Sequence, residues 1–90
     1  VTRPSVERCD ELLGKAIVTY SKTRDLGIAC SGKVIEEVAT GRRYIVLVAR
    51  NDDGVVGHVV FRIRVNGALR RLQRWSINTD PRFFIILHSI

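Results

Sequence analysis

Ser5-Val6-Glu7-Arg8-Cys9-Asp10-Glu11-Leu12-Leu13-Gly14-Lys15-Ala16-Ile17-Val18-Thr19-Tyr20-Ser21-Lys22 is the stretch on which the fold turns. Its first half starts like a helix: Ser5 offers an N-cap hydroxyl, and acidic residues sit close behind it. Gly14 is a natural helix stop. Beyond it, Ala16-Ile17-Val18-Thr19-Tyr20 is rich in β-branched and aromatic side chains, which suit a pleated surface. The reading is a short N-terminal helical turn followed by a strand over residues 15–21. The rival reading is one helix running on through residue 22.

Working outward, glycines and turn formers cut the rest of the chain into short segments, the pattern of a β-sandwich or barrel. A strand or bent pair covers Ile28 to Ala39, with Gly32 as a bulge or kink. Thr40-Gly41-Arg42 turns the chain. Tyr44-Ile45-Val46-Leu47-Val48-Ala49 is apolar on both faces and reads as a central strand. Asn51-Asp52-Asp53-Gly54 is a hairpin turn. In the returning strand, His58 to Val65, Phe61, Ile63 and Val65 share one face while Arg62 and Arg64 take the other. Asn66-Gly67 predicts a type I′ turn. Leu69 to Ile77, where the three-residue recurrence of Leu69, Leu72 and Trp75 also allows a short helix, and Arg82 to His88 complete six strands, the last read as buried on both faces. The fold class is all-β: a six-stranded β-sandwich of two antiparallel sheets with a short N-terminal helical turn, in a single domain over residues 1–90. Its interior comes from the strands at 16–20, 45–49, 59–65 and 83–87.

Ninety residues bury only about 60% of the surface the unfolded chain exposes, so a staple matters. Hydrophobic residues make up 46% of the chain, enough for a core, and charged residues 27%, which argues against disorder. The chain starts at Val1, so either signal-peptide removal or a fragment boundary precedes it. The longest apolar run, Phe83 to Leu87, is far short of the ~20 residues a spanning helix needs. Two cysteines in a short exported chain point to a Cys9–Cys30 disulfide, which would contribute roughly 3 kcal/mol in the chain-entropy model. The alternative is two buried thiols in a reducing compartment.

No motif in the chain carries catalysis. Cys9, Cys30, His58 and His88 lack the close spacing of a zinc site, so no metal is expected. Asp52 and Asp53 are explained as turn formers, and no phosphate-binding or dinucleotide glycine pattern is present. The expectation is therefore a protein with no catalytic residues and no cofactor. What rises above background is charge, a formal net +6 carried more by Arg than by Lys. Arg62 and Arg64 project from one strand. Arg70, Arg71 and Arg74 lie on the next, so up to five guanidiniums share a hairpin, with Trp75 as an aromatic platform nearby. Lys33, Arg42 and Arg43 are read as lying near the opposite turns. An acidic protein partner fits this surface. Nucleic acid ranks lower, because few aromatics interleave with the charges.

Two resemblances follow. Glu37-Val38-Ala39-Thr40-Gly41-Arg42-Arg43-Tyr44 resembles the cystatin loop Gln-Val-Val-Ala-Gly with its later Tyr, and Leu13-Gly14-Lys15-Ala16 to Lys22 is similar to the helix signature of plant cystatins. This resemblance implies inhibition of papain-type cysteine proteases by a three-part wedge. The wedge residues differ here: Glu37 stands for the loop Gln, Gly67-Ala68 for the second-loop Pro-Trp, and no glycine pair precedes the helix. The second resemblance is architectural. A mature chain of this length with six strands and one disulfide looks like the MAX effectors of plant-pathogenic fungi, sandwiches of two three-stranded sheets. That implies a secreted protein, translocated into a host cell, that binds host proteins and suppresses immunity. The effector reading leads here, and the cystatin-like inhibitor is its alternative.

Overall fold

The structure is a computed structural model that describes residues 6–22, 27–72 and 82–89. The first stretch is one helix, α1, over Val6–Ser21. The helical turn and strand expected over residues 15–21 are thus replaced by the continuous helix. Its cause is spacing: Cys9, Leu12, Leu13, Ala16 and Tyr20 fall three and four residues apart and are all buried. Of the β-branched residues that suggest a strand, Val18 and Thr19 are exposed, and Ile17 packs partly buried against the core. Thr19 Oγ1 donates to Lys15 O at 2.8 Å, an arrangement that suits a hydroxyl inside a helix. Gly14 is helical and exposed, and interrupts nothing.

Five antiparallel strands follow: β1 Ile28–Glu37, β2 Arg43–Arg50, β3 Val56–Ile63, β4 Leu69–Arg71 and β5 Phe84–Ser89. They form one sheet in the order β4-β3-β2-β1-β5. The protein is therefore mainly β, with a helix on a sheet. The described residues hold a single sheet, and five of the six expected strands.

The helix packs on one sheet face. Its buried side chains meet Val34, Ile45, Leu47, Ala49, Val59, Phe61 and Ile63. A second cluster, Ile35, Tyr44, Val46, Val60 and Phe84 with Leu72 against it, lies on the other face. β2 supplies both clusters, which is why its sequence is apolar throughout and why it sits in the middle of the sheet. β5 departs from expectation. It forms an edge of the sheet, so only Phe84 is buried, while Ile85 and Ile86 are exposed.

Two glycines let the layers meet. A Cβ on Gly32 would lie 2.8 Å from Leu47 Cδ2 and 2.9 Å from Leu13 Cδ1, so its bare backbone lets the helix lie close on β1. Gly27 has φ +106°, and a Cβ there would lie 2.2 Å from Arg50 O. Tyr20 Oη donates to the Gly27 carbonyl at 2.8 Å, which ties the end of α1 to the start of β1.

The cysteines are thiols and are not joined. Cys9 lies in the core under the helix, whereas Cys30 is exposed as the extra residue of a bulge in β1, with Sγ 3.3 Å from Val48 O. The expected disulfide is replaced by two thiols in different surroundings.

Candidate functional site

The strand registers bring three connections to one end of the sheet. Leu69, Ile63, Arg43, Glu36 and Ile85 form a row of successive cross-strand partners. Immediately beyond that row lie the β1–β2 turn over residues 38–42, the β3–β4 turn over 64–68, and Arg82-Phe83 leading into β5. The Asn51–Val55 turn, with Asp52 and Asp53, lies at the opposite end.

Each connection is held by its own hydrogen bonds. In the first, Glu37 N donates to Arg42 O and Gly41 N to Glu37 O, both at 2.8 Å, and Thr40 Oγ1 donates to the Glu37 carboxylate. The second is a three-residue loop: Arg64 N donates to Ala68 O, Gly67 N to Arg64 O, and Asn66 Oδ1 accepts from Ala68 N at 3.0 Å. The two-residue type I′ turn expected there is replaced by a type I-like turn with Gly67 left-handed at φ 84°. Val38 N donates to Phe83 O at 2.8 Å and fixes the third connection against the first. Below the first turn, Arg43 Nε lies 3.1 Å from Glu36 Oε1, and the two side chains are only 13% and 15% exposed.

Three apolar side chains stand out from this end: Val38 at 59% exposure, Val65 at 69% and Phe83 at 49%. Val65 is assigned to a strand face by its spacing from Phe61, but β3 stops at Ile63 and leaves it on the turn. None of the three was a sequence candidate. The available signal was an apolar residue one or two positions from a turn former. Arg82 lies over the Phe83 ring at 5.6 Å.

The expected basic patch divides. Arg62 and Arg70 are direct cross-strand partners on the face of Tyr44. With Arg64, Val65 and Asn66 they line a groove of about 420 Å³. Arg71 points the other way, toward the helix, with its guanidinium 5.7 Å from the Tyr20 ring centroid. Strand alternation forces this split, since neighbours in β4 take opposite faces. Arg74 and Trp75 lie outside the described residues. Arg42 lies in the β1–β2 turn, at the same end as Arg64 and not at the opposite one.

The other candidates remain scattered. Burial pushes the Cys9 thiol above its ordinary value, against a lowering by Arg43, and Glu36 adds to the rise. Such a thiol is a poor nucleophile. His88 Nε2 lies 3.3 Å from Asp10 Oδ1, between β5 and α1, whereas His58 is on β3. Among the described residues no cluster of three His, Cys, Asp or Glu side chains could hold a metal ion, and no helix is long and apolar enough to cross a membrane. No protein family, curated protein or solved structure matches the chain.

Proposed function

We propose that this chain is a non-catalytic binding protein that docks with the loop end of its sheet, and that its target is the cleft of a papain-type cysteine protease. One observation carries the reading. The β1–β2 turn, the β3–β4 turn and the start of β5 stand side by side, and each presents one exposed apolar side chain: Val38, Val65 and Phe83. Successive strands are about 4.8 Å apart, so the row measures roughly 15–20 Å, the width of a substrate cleft and not of a small-molecule pocket. An exposed apolar row with a polar rim is the surface type expected at the centre of an interface with a partner.

The helix through Ser21 is the arrangement that the cystatin resemblance implies for this segment. The β1–β2 turn is the stretch that resembles the cystatin loop, and Gly67-Ala68 lies in the neighbouring turn. Phe83 takes the third place in the row. Because Glu37 and Gly67-Ala68 replace the usual Gln and Pro-Trp, affinity rests on Val38, Val65 and Phe83. The test is hydrolysis of a chromogenic substrate by papain with added protein. Competitive inhibition that Val38→Asp and Phe83→Asp each weaken about tenfold or more is the expected result. No inhibition at high micromolar protein, or equal inhibition by these variants, would overturn the reading.

The second reading is a secreted effector that binds an acidic host protein. Arg62, Arg64 and Arg70, which face no carboxylate among the described residues, favour it, although the single described sheet lends no support to the two-sheet architecture of the MAX effectors. Replacing these three, with Arg74, by Glu discriminates. Lost capture of a host protein with papain inhibition retained favours the effector.

A further inference from the structure

We infer that the groove between β3 and β4 is a binding site for a phosphate monoester, held by Arg62, Arg64 and Arg70. The inference does not depend on the protease reading, with which it shares only Val65, and it gives a small ligand to the arginines that the second reading gives to an acidic protein.

Like charges directly opposite in an antiparallel pair are destabilising, because their Cβ atoms are only about 5 Å apart. Arg62 and Arg70 are such a pair. By contrast, Arg43 on the neighbouring strand has Glu36 beside it at 3.1 Å. No carboxylate among the described residues answers Arg62, Arg64 or Arg70, and none lines the groove they share. Glu37, on the neighbouring turn, is engaged with Thr40. Three guanidiniums are thus held together without a counter-charge among the described residues, by a hairpin whose turn has its own hydrogen bonds and does not depend on them.

The number of cations sets the ligand. A carboxylate carries one charge on two oxygens, and one guanidinium fork satisfies it. Three forks suit a tetrahedral dianion with three free oxygens, and a phosphate monoester carries about −1.5 to −2 charges at neutral pH. At about 420 Å³ the groove has room for the organic group that bears the phosphate. Val65 gives that group an apolar wall and Asn66 an amide edge. Arg62 is half-buried, which lowers the local dielectric and strengthens its bonds relative to a fully exposed arginine.

The test is a titration of 15N-labelled protein at constant ionic strength with inorganic phosphate, O-phosphoserine and phenyl phosphate, and with sodium chloride as the charge control. Saturable shifts confined to the amides of residues 62–70 are expected for the phosphates, with the two esters tighter than inorganic phosphate. Binding should fall as pH drops below about 6, where the dianion takes up a proton. Arg62→Gln and Arg70→Gln should each weaken binding about tenfold or more, and Arg62→Lys should recover only part of it. Arg50→Gln removes the same charge at the far end of the sheet and should leave binding unchanged. Linear shifts without saturation, or equal loss in Arg50→Gln, would mean nonspecific attraction to net charge and would overturn the site. Equal affinity for the esters and free phosphate would overturn the role given to Val65 and Asn66.

Discussion

Gly32 and Leu13 share a space too small for both a methyl group on β1 and the leucine end on α1, and a double-mutant cycle reads that conflict directly. Gly32→Ala places a Cβ 2.9 Å from Leu13 Cδ1 and 2.8 Å from Leu47 Cδ2, both in the core. Overpacking of this kind costs about 1–3 kcal/mol, and the gain from a stiffer unfolded chain returns roughly 0.4–1 kcal/mol. Leu13→Ala removes a side chain that is 1% exposed, at about 2–5 kcal/mol. A ninety-residue domain has roughly 5–13 kcal/mol in all, so Leu13→Ala takes a large share of it. In the double variant the new methyl occupies part of the vacated space, and one of its two close contacts is gone. We expect the pair to be less destabilised than the sum of the singles by ~1 kcal/mol. Urea unfolding followed by circular dichroism gives the free energies, and in thermal scans the coupling corresponds to about 4–8 °C. Additivity within ~0.5 kcal/mol would refute the close seating of α1 on β1 at Gly32, and with it the helix-on-sheet core.

Two further outcomes are accessible to simple assays. Gly14→Ala should stabilise by about 0.5–1 kcal/mol, since the position is helical and exposed and an added Cβ meets nothing within 4 Å; a lower melting temperature would count against the continuous helix. A thiol reagent should label Cys30 at once and Cys9 only on unfolding, with no mass change on reduction beforehand, whereas simultaneous labelling would contradict the burial of Cys9. Because folding raises the Cys9 pKa, its contribution to stability is full below the unfolded thiol value, about 8.5, and is lost as pH rises through the folded value. A Cys9→Ala variant should lack that alkaline slope, and an unchanged slope would assign it to another group.

The parts of this fold that sequence reveals are those set by neighbours in the chain. Tyr44 to Ala49 reads as a central strand because both its faces are apolar, and Asn51 to Gly54 reads as a hairpin because its residues supply the turn themselves. Asn51 Oδ1 indeed accepts from Asp53 N and Val55 N. The helix is hidden for the opposite reason. Local propensity after Gly14 points to a strand, and the tertiary surface that captures Cys9, Leu12, Leu13, Ala16 and Tyr20 decides otherwise. β5 misleads similarly, since an apolar run shows a strand but not whether it lies at the edge of the sheet. Arg62, Arg64 and Arg70 are legible from the hairpin, but placing Arg71 with them overlooks strand alternation, which turns it to the helix face. The row of Val38, Val65 and Phe83 depends on strand order, a long-range property that no window of sequence contains.

The strand order also dictates a sequence of events during synthesis. α1 and the hairpins β1–β2, β2–β3 and β3–β4 connect neighbours in the chain, so each can form soon after it leaves the ribosome. The outer edge of β1 has no such neighbour. Its partner, β5, is made after the other described strands, and at ordinary elongation rates it arrives a few seconds after β1. During that interval the nascent chain exposes an open strand edge, a template for pairing with another chain. Among the described strands, β1 is therefore the one whose edge waits longest for its partner.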